Sequence, residues 1–222
     1  MRRVSSPTAV LPRTMALASL AAILVGPAGA SSGNPDPYRI LAGPYSRKDA
    51  KTGAGHAAAR AALKGLTITV EFLEPGERAA FVKAIDPSMS DPFAARPGRP
   101  ESYSAFRVAF DNRSAADVQF QAGNVVMITD SKTQNFPVDL TDLYRVAAEV
   151  GVADPETAMD RIAPIIFDNS TTVPRGKSLE RLLVFGPFPV KWKELQLHFS
   201  FLQIGTETHS ASFNFHKQPL KG

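Results

Sequence analysis

Residues 106–120 read "FRVAFDNRSAADVQF". Apolar and polar side chains alternate up to a turn at Asn112 and Arg113, and the alternation resumes after it with Val118 and Phe120. A period of two residues is typical of a half-buried β-strand. The pattern therefore predicts two strands, and the short polar turn between them predicts that they form one hairpin of a sheet.

The chain around this stretch carries further segments of the same kind. They read "LTITVEFL" (66–73), "NVVMITD" (124–130), "SLERLLVFGPF" (178–188), "ELQLHFSFLQI" (194–204) and "SASFNFH" (210–216). Continuous apolar runs among them are expected of strands covered on both faces. An apolar strand face must be covered by another layer, so the chain is predicted to be mainly β, an antiparallel β-sandwich.

The last two of these segments predict a hairpin with a defined register. A three-residue loop would pair Ile204 with Thr208 and place Phe199 opposite Phe213. Phe201 would then lie on the inward face with Phe199. A slip of one residue would turn every apolar side chain outward, so the pattern favours this register.

Two segments interrupt the strands with helical spacing. Residues 74–87 place Ala80, Phe81, Ala84 and Ile85 on one helical stripe, which predicts a short helix. Residues 139–167 predict a helical hairpin packed on or beside the sandwich. Its first stripe consists of Leu140, Leu143, Tyr144, Ala147 and Val150, and its second of Ala158, Met159, Ile162 and Ile166. Gly151 ends the first helix, and Asp154 caps the second.

The N-terminus predicts secretion. Arg2 and Arg3 precede an apolar run that ends near Ala28-Gly29-Ala30, a pattern typical of a signal peptide over 1–30. The run is too short for a spanning helix, which needs about 20 residues. We expect a flexible tether over 31–64, because its Pro, Gly, Ser and Ala residues show no sustained period. The folded domain would then occupy 65–218.

Composition narrows the compartment and the partners further. The chain has no Cys, which excludes disulfides and lipid attachment through an N-terminal Cys. The expected location is therefore periplasmic or extracellular, without a lipid anchor. The net charge of +4 includes Arg2, Arg3 and Arg13 of the predicted signal peptide. The rest of the chain is close to neutral, so no nucleic-acid partner is expected.

The residues that could carry chemistry form no recognised catalytic or metal motif. The histidines are His56, His198, His209 and His216, and none is part of an H-E-x-x-H pattern. His198 and His216 could approach each other on the outer face of the last hairpin and hold copper or zinc. Two surface imidazoles are the simpler interpretation. Serines flank His198, but a catalytic triad also needs an orienting carboxylate and an oxyanion hole.

The order of turns and strands resembles bacterial extracytoplasmic immunoglobulin-like domains of unknown function. The stretches that carry the resemblance are "FRVAFDNRSAADVQFQAGNVVMITDSKTQNFP" (106–137), "TTVPRGKSLERLLVFGPF" (171–188) and "KELQLHFSF" (193–201). The match covers about 66–74 and 103–217, and the insertion at 139–167 departs from it. The resemblance implies an immunoglobulin-like sandwich in the cell envelope with a binding or structural role. It carries no catalytic residues over to this chain.

These observations predict a non-enzymatic module that acts through contacts with an envelope protein and needs no cofactor or metal. The predicted contact surface is the insertion 139–167 with the loop "GPFPVKWK" (186–193), whose composition suits an interface hot spot. The predicted binding residues are Trp192, Phe188, Lys191, Lys193, Tyr144 and Arg145. In that case Trp192→Ala should weaken binding and leave the fold intact, whereas a Trp192 that caps the sandwich would be core.

The alternative function uses the polar face around His198. A small secreted hydrolase would need a nucleophile beside that imidazole. A ligand or metal carrier would use the same polar face, or a pocket between the sheet and the helices. A concave site with converging polar groups would favour this alternative, and a filled sandwich would favour the binding module.

Overall fold

The computed structural model describes residues 38–43, 57–95, 98, 100–149, 152–189 and 191–219. The strands are β1 (Tyr38–Ala42), β2 (Ala58–Leu63), β3 (Leu66–Leu73), β4 (Ser104–Asn112), β5 (Val118–Phe120), β6 (Val125–Thr129), β7 (Gln134–Asn135), β8 (Thr171–Val173), β9 (Ser178–Phe185), β10 (Glu194–Ile204) and β11 (Glu207–Pro219). The α-helices are α1 (Pro75–Ile85), α2 (Leu140–Glu149) and α3 (Pro155–Ile162). In these residues no helix is long and apolar enough to cross a membrane.

The strands form two antiparallel sheets that pack face to face. The smaller sheet has the order β2-β3-β4-β9, and the larger has the order β1-β11-β10-β5-β8, with β6 paired to β10 and β7 paired to β6. Aromatic rings from the two sheets meet in the core: Phe106 lies 5.2 Å from Phe215, and Phe110 lies 5.0 Å from Phe120, between centroids. The prediction of a mainly β chain with two antiparallel sheets is confirmed.

The stretch 106–120 is not a hairpin, contrary to the prediction. Its first strand, β4, pairs with β3 and β9 in the smaller sheet, whereas its second, β5, pairs with β8 and β10 in the larger. The chain therefore crosses from one sheet to the other between them. A hairpin and a sheet change bury the same alternate side chains, so the alternation could not distinguish the two.

The side chain of Asn112 holds this crossover. Its Nδ2 donates to the carbonyl of Ala116 at 3.0 Å and to that of Val173, in β8, at 2.9 Å. Its Oδ1 accepts from both the backbone N–H and the hydroxyl of Ser114. Asn112 is completely buried, and its amide makes the two donor and two acceptor contacts that it can offer. It joins the end of the smaller sheet to a strand of the larger one.

The predicted tether over 31–64 is wrong for two of its segments. Residues 38–42 form β1, paired with β11, and residues 58–63 form β2, paired with β3. The predicted domain boundary at residue 65 is wrong for the same reason. The backbone supplies the hydrogen bonds of an edge strand, so an Ala-rich sequence without a clear period can still join a sheet. The remaining tether residues and the predicted signal peptide lie outside the described residues.

The hairpin between β2 and β3 also packs on the crossover. Lys64 and Gly65 form its two-residue loop with φ of 48° and 88°, as a type I′ turn requires. The carbonyl of Gly65 accepts from the N–H of Arg113 at 2.9 Å. A Cβ at residue 65 would lie 3.1 Å from backbone atoms of Ser114, so this approach requires glycine.

The helices and the loop after α1 form a third layer on the outer face of the smaller sheet. The insertion at 139–167 contains α2 and α3 as predicted, and Asp154 caps α3 by accepting from the N–H of Thr157 at 3.0 Å. Val150 and Gly151 lie outside the described residues. The insertion is bonded to β9 at both ends, through Val138 and Phe167. It therefore covers the edge of β9.

This third layer explains why β9 is apolar on both faces. Leu183 and Phe185 belong to the core between the sheets, whereas Leu182 and Val184 belong to a second core beneath the helices. Helix side chains that complete the second core are Val82, Leu143, Ala147, Ala158, Met159 and Ile162. The chain is thus a sandwich with a helical layer on one side.

The last hairpin has a different register from the predicted one. Ile204 pairs with Glu207 around a two-residue loop, and a bulge between Phe199 and Leu202 then shifts the pairing, so that Phe199 lies opposite Ala211. The net offset from the prediction beyond the bulge is two residues, which keeps Phe199 on the inward face. At the bulge the alternation breaks, and Phe201 is 67% exposed instead of buried.

We expect Asn112→Ala to lower the free energy of unfolding by about 2–4 kcal/mol, because it leaves buried carbonyl and N–H groups without partners. Urea unfolding of the purified protein measures this. Asn214→Ala is the matched control, because Asn214 is exposed and its side-chain oxygen accepts from Gln196 Nε2 at the surface. It should change the free energy by less than about 1 kcal/mol. Equal effects of the two substitutions would contradict the role assigned to Asn112.

Candidate functional site

The apolar stripe of α1 borders an open groove. The helix predicted over 74–87 is confirmed, but its stripe is largely exposed, and Phe81 is the member that packs against the second core. Ala80 and Ala84 are exposed, Ile85 is 37% exposed, and Phe81 is half-buried. The groove holds about 510 Å³ and lies between α1 and the outer face of the smaller sheet. It is lined by Glu71, Leu73, Glu77, Ala80, Phe81, Ala84, Ile85, Arg107 and Glu180.

The stripe faces outward because the buried face of α1 carries a charged residue, Arg78. Arg78 is 1% exposed, and its Nε donates to Asp91 Oδ2 at 2.7 Å. Its other guanidinium nitrogens donate to the carbonyls of Phe93 and Tyr103 and to the carboxylate of Glu101. These bonds satisfy the buried charge and tie α1 to the loop that follows it, which makes Arg78 a structural residue.

The opposite wall of the groove is a ladder of charged side chains across three strands. Glu71 of β3 lies directly opposite Arg107 of β4, and the two form an ion pair. Arg107 Nε lies 3.3 Å from Glu180 Oε1, on β9. Glu77, at the start of α1, adds a third carboxylate. Among the described residues that line it, three carboxylates face one guanidinium, which makes the groove acidic.

The charges near the start of α1 act on one another. Glu77 Oε2 accepts from the N–H of Glu74 at 2.9 Å, as part of a capping box. Burial, and next the charge of Glu77, raise the pKa of Glu74, whereas Arg39 opposes this. At the other end of the helix, hydrogen bonds from Ser88 and Arg161 lower the pKa of Asp86. The charges of Glu74 and Glu77 therefore disfavour further negative charge at the start of α1.

These groups are suited to binding and not to bond chemistry. An exposed apolar stripe beside fixed carboxylates can hold a segment that presents apolar side chains together with Lys or Arg. The sequence predicted the stripe and raised a pocket between sheet and helices as an alternative, but it did not predict that the stripe lines it. An Arg in a short helix is ordinarily solvated, so no signal in the sequence identified Arg78 as the buried residue.

The structure packs the two aromatic residues of the predicted loop, Trp192 and Phe188, against the core between the sheets. Trp192 is 6% exposed and belongs to the core between the sheets. Its ring lies 4.8 Å from that of Phe188 and 6.3 Å from that of Tyr38, and Phe188 lies 5.8 Å from Phe72. This chain of rings closes one end of the sandwich. The prediction of Trp192 as a surface anchor is therefore wrong, because its ring is already covered by the chain itself.

The other predicted binding residues remain at the surface but do not form one site with Trp192. Lys191 and Lys193 are exposed on the loop before β10. Tyr144 is 42% exposed on α2, and Arg145 beside it pairs with Asp142 at 2.8 Å. The helix that carries them packs in the second core, on the other side of the smaller sheet from the core that holds the Trp192 ring.

The polar face around His198 contains one contact of chemical interest. His198 Nδ1 lies 2.9 Å from Ser212 Oγ on the neighbouring strand. In the described part of the chain no hydrogen bond joins His198 to a carboxylate, which a triad would need to orient the imidazole.

His216 does not approach His198, contrary to the possibility raised by the sequence. His216 pairs with Glu194, which lies four residues before His198 in β10. It is buried, and its Nδ1 lies 2.9 Å from the carbonyl oxygen of Gly43. Across the described residues, no group of three or more His, Cys, Asp or Glu side chains could hold a metal ion. His56 lies outside them.

No family model matches the chain, and no curated protein matches it. Among solved structures, the yjhA protein from Bacillus subtilis is similar with a TM-score of 0.39 and 12% identity, over 69% of this chain and 93% of that one. A second structure, the structural genomics target SoR45, is similar with a TM-score of 0.30 and 8% identity, over 71% of this chain and 86% of that one.

We expect Trp192→Ala to destabilise the protein by about 3–5 kcal/mol, because it removes a large ring from a packed core. Thermal or urea unfolding measures this. Lys191→Ala, on the same loop but exposed, is the control and should stay within about 0.5 kcal/mol of the wild type. If Trp192→Ala is as stable as the wild type, the assignment of Trp192 to the core is wrong, and the result supports its predicted role as a surface anchor.

Proposed function

We propose that this chain is a non-enzymatic binding module of the cell envelope that recognises a protein partner through the groove between α1 and the smaller sheet. The observation that carries the proposal is the stripe of exposed Ala80, Ala84 and Ile85 with half-buried Phe81, which lines one groove together with the Glu71–Arg107–Glu180 ladder. Apolar surface set beside fixed charge is the composition of a specific interface. The groove replaces the Trp192 loop as the main contact surface.

The occupant that fits this groove is a protein segment with apolar side chains and at least one Lys or Arg. The groove has three carboxylates against one guanidinium, and Arg107 is already engaged by Glu71 and Glu180. An acidic segment would meet uncompensated repulsion, whereas a basic one would complement the ladder. Apolar contact with Ile85 and Phe81 would supply affinity, and the carboxylates would supply selectivity.

The location and the finer fold class belong to the same proposal. The Arg-led apolar run and the Ala28-Gly29-Ala30 pattern support a cleaved signal peptide and a periplasmic or extracellular location. The resemblance to extracytoplasmic immunoglobulin-like domains supports an immunoglobulin-like arrangement of the two sheets, modified by the helical layer. Tyr144 and Arg145, exposed on α2 in that layer, could extend the contact surface.

We expect Ile85→Asp and Glu180→Lys each to reduce capture of the same partner by about tenfold or more, which corresponds to about 1.4 kcal/mol. The first substitution places charge on the apolar stripe, and the second reverses the charge of the ladder. The purified chain and both variants serve as bait for envelope extract, and captured proteins are quantified by mass spectrometry. A synthetic segment of the captured partner is then titrated against the same three proteins.

Phe136→Asp is the matched control, because Phe136 is another exposed apolar residue and does not line the groove. It should capture the partner as the wild type does. The proposal fails if Ile85→Asp and Glu180→Lys retain the partner, if the control loses it equally, or if no protein is captured reproducibly. Unfolding midpoints of all variants show whether each is folded.

A further inference from the structure

A second surface feature lies on the larger sheet, at the bulge in β10. Phe201 is 67% exposed and has a φ of 54°. The left-handed region is unfavourable for a residue with a Cβ by about 1–2 kcal/mol. Such a conformation persists only where the surrounding structure imposes it, and it is often found at binding sites. Phe201 is thus a bulky aromatic side chain held outward by strained backbone.

A gap in the neighbouring strand lies beside this residue. Along one edge of β10, β6 pairs up to Phe199 and β5 pairs from Gln203 onward. Between them the neighbouring chain forms a 3-10 turn, Ala122–Asn124, instead of a strand. The bulge in β10 and the break opposite it leave a depression of about 270 Å³ on the outer face of the sheet.

The depression is lined by uncharged polar groups and one aromatic ring. Its lining residues are Gln119, Gln121, Asn124, Ser170, Phe201 and Gln203. Two of the amides are already positioned: Asn124 Nδ2 donates to Gln121 Oε1 at 3.2 Å, and Gln203 Nε2 donates to the carbonyl of Gly205 at 3.0 Å. Each of these bonds uses one hydrogen, so the amides retain further capacity to donate and accept.

We propose that this depression is a binding subsite for an uncharged saccharide. A sugar ring presents an apolar C–H face and a rim of hydroxyl groups that both donate and accept. The face of Phe201, which carries the negative side of the ring quadrupole, suits the C–H groups. The amides and the Ser170 hydroxyl suit the rim, because each of them also donates and accepts.

The described residues that line the depression are uncharged, which selects the ligand class. A phosphate or carboxylate ligand would be matched by Arg or Lys, and a cationic ligand by Asp or Glu, and neither kind is among these lining residues. This inference does not rest on the protein-binding proposal. The groove beside α1 lies on the outer face of the smaller sheet, and the saccharide subsite lies on the outer face of the larger one.

The test is calorimetric titration of the purified full chain with chitotriose, cellotriose and maltotriose. We expect at least one trisaccharide to bind with a dissociation constant of about 1 mM or below, because small uncharged ligands gain little free energy per atom. Phe201→Ala should weaken that binding about tenfold, through loss of the ring face. Phe136→Ala is the matched control, with a ring 60% exposed outside the depression, and it should bind as the wild type does.

A second variant separates the ring from the backbone that holds it. Phe201→Gly removes the ring and also relieves the positive φ, so it should unfold at a higher temperature than Phe201→Ala while losing saccharide binding equally. Ile85→Asp should bind the saccharide normally, which distinguishes failure of this site from failure of the groove. The inference is overturned if none of the three trisaccharides gives a binding signal at a concentration of about 10 mM, ten times the expected dissociation constant. It is also overturned if Phe201→Ala binds the saccharide as tightly as the wild type does.

Discussion

The buried amide of Asn112 is the constraint on which the arrangement of the two sheets depends. It sits where the chain leaves β4 of the smaller sheet, and its hydrogen bonds reach the crossover to β5 and the carbonyl of Val173 in β8. A buried amide without partners is strongly unfavourable, so an arrangement of the sheets that breaks any of these contacts would leave a buried polar group unpaired. The hairpin loop at Lys64 and Gly65 packs against the same crossover, which extends the constraint to the first strands of the smaller sheet.

The groove exists because the helical layer covers only part of the outer face of the smaller sheet. At one end of that sheet the outward residues are apolar and covered, as Leu182 and Val184 of β9 show. Two residues earlier on the same face, Glu180 is charged and joins the ladder with Arg107 and Glu71. The helical layer ends at α1, which Arg78 holds in place. The apolar stripe of α1 therefore lies beside the first charged residues of the sheet that the helical layer leaves exposed. One sheet face therefore supplies both the second core and the candidate site.

Alternation along the sequence predicted which side chains face inward, but not which strands pair. The burial of three rings was predicted correctly, namely those of Phe106, Phe110 and Phe120. The change of sheet between Phe110 and Phe120 depends on hydrogen bonds of Asn112, and these leave no periodic pattern in the sequence. The Ala-rich β2 was missed because a strand can be held by backbone pairing despite weak side-chain preference.

The candidate sites were harder to predict, because each depends on a local exception. Phe201 leaves the core through one extra residue in β10, which reverses the alternation at a point that the sequence does not mark. The loop that carries Trp192 had the composition of an interface anchor, yet the rings of Tyr38 in β1 and of Phe188 in the same loop cover Trp192. Such reversals can be recognised only once the partners of each strand are known.

Both candidate surfaces occur where regular structure is interrupted on an outer face of the sandwich. The groove lies at the edge of the helical cover, and the depression at Phe201 lies at a break in the pairing along β10. Their positions on opposite outer faces mean that a ligand on one does not obstruct the other. Any energetic coupling between them would have to pass through the packed core between the sheets, where rings such as Phe110 and Phe120 are in contact. Because a close-packed core changes shape little, we expect the two surfaces to bind independently.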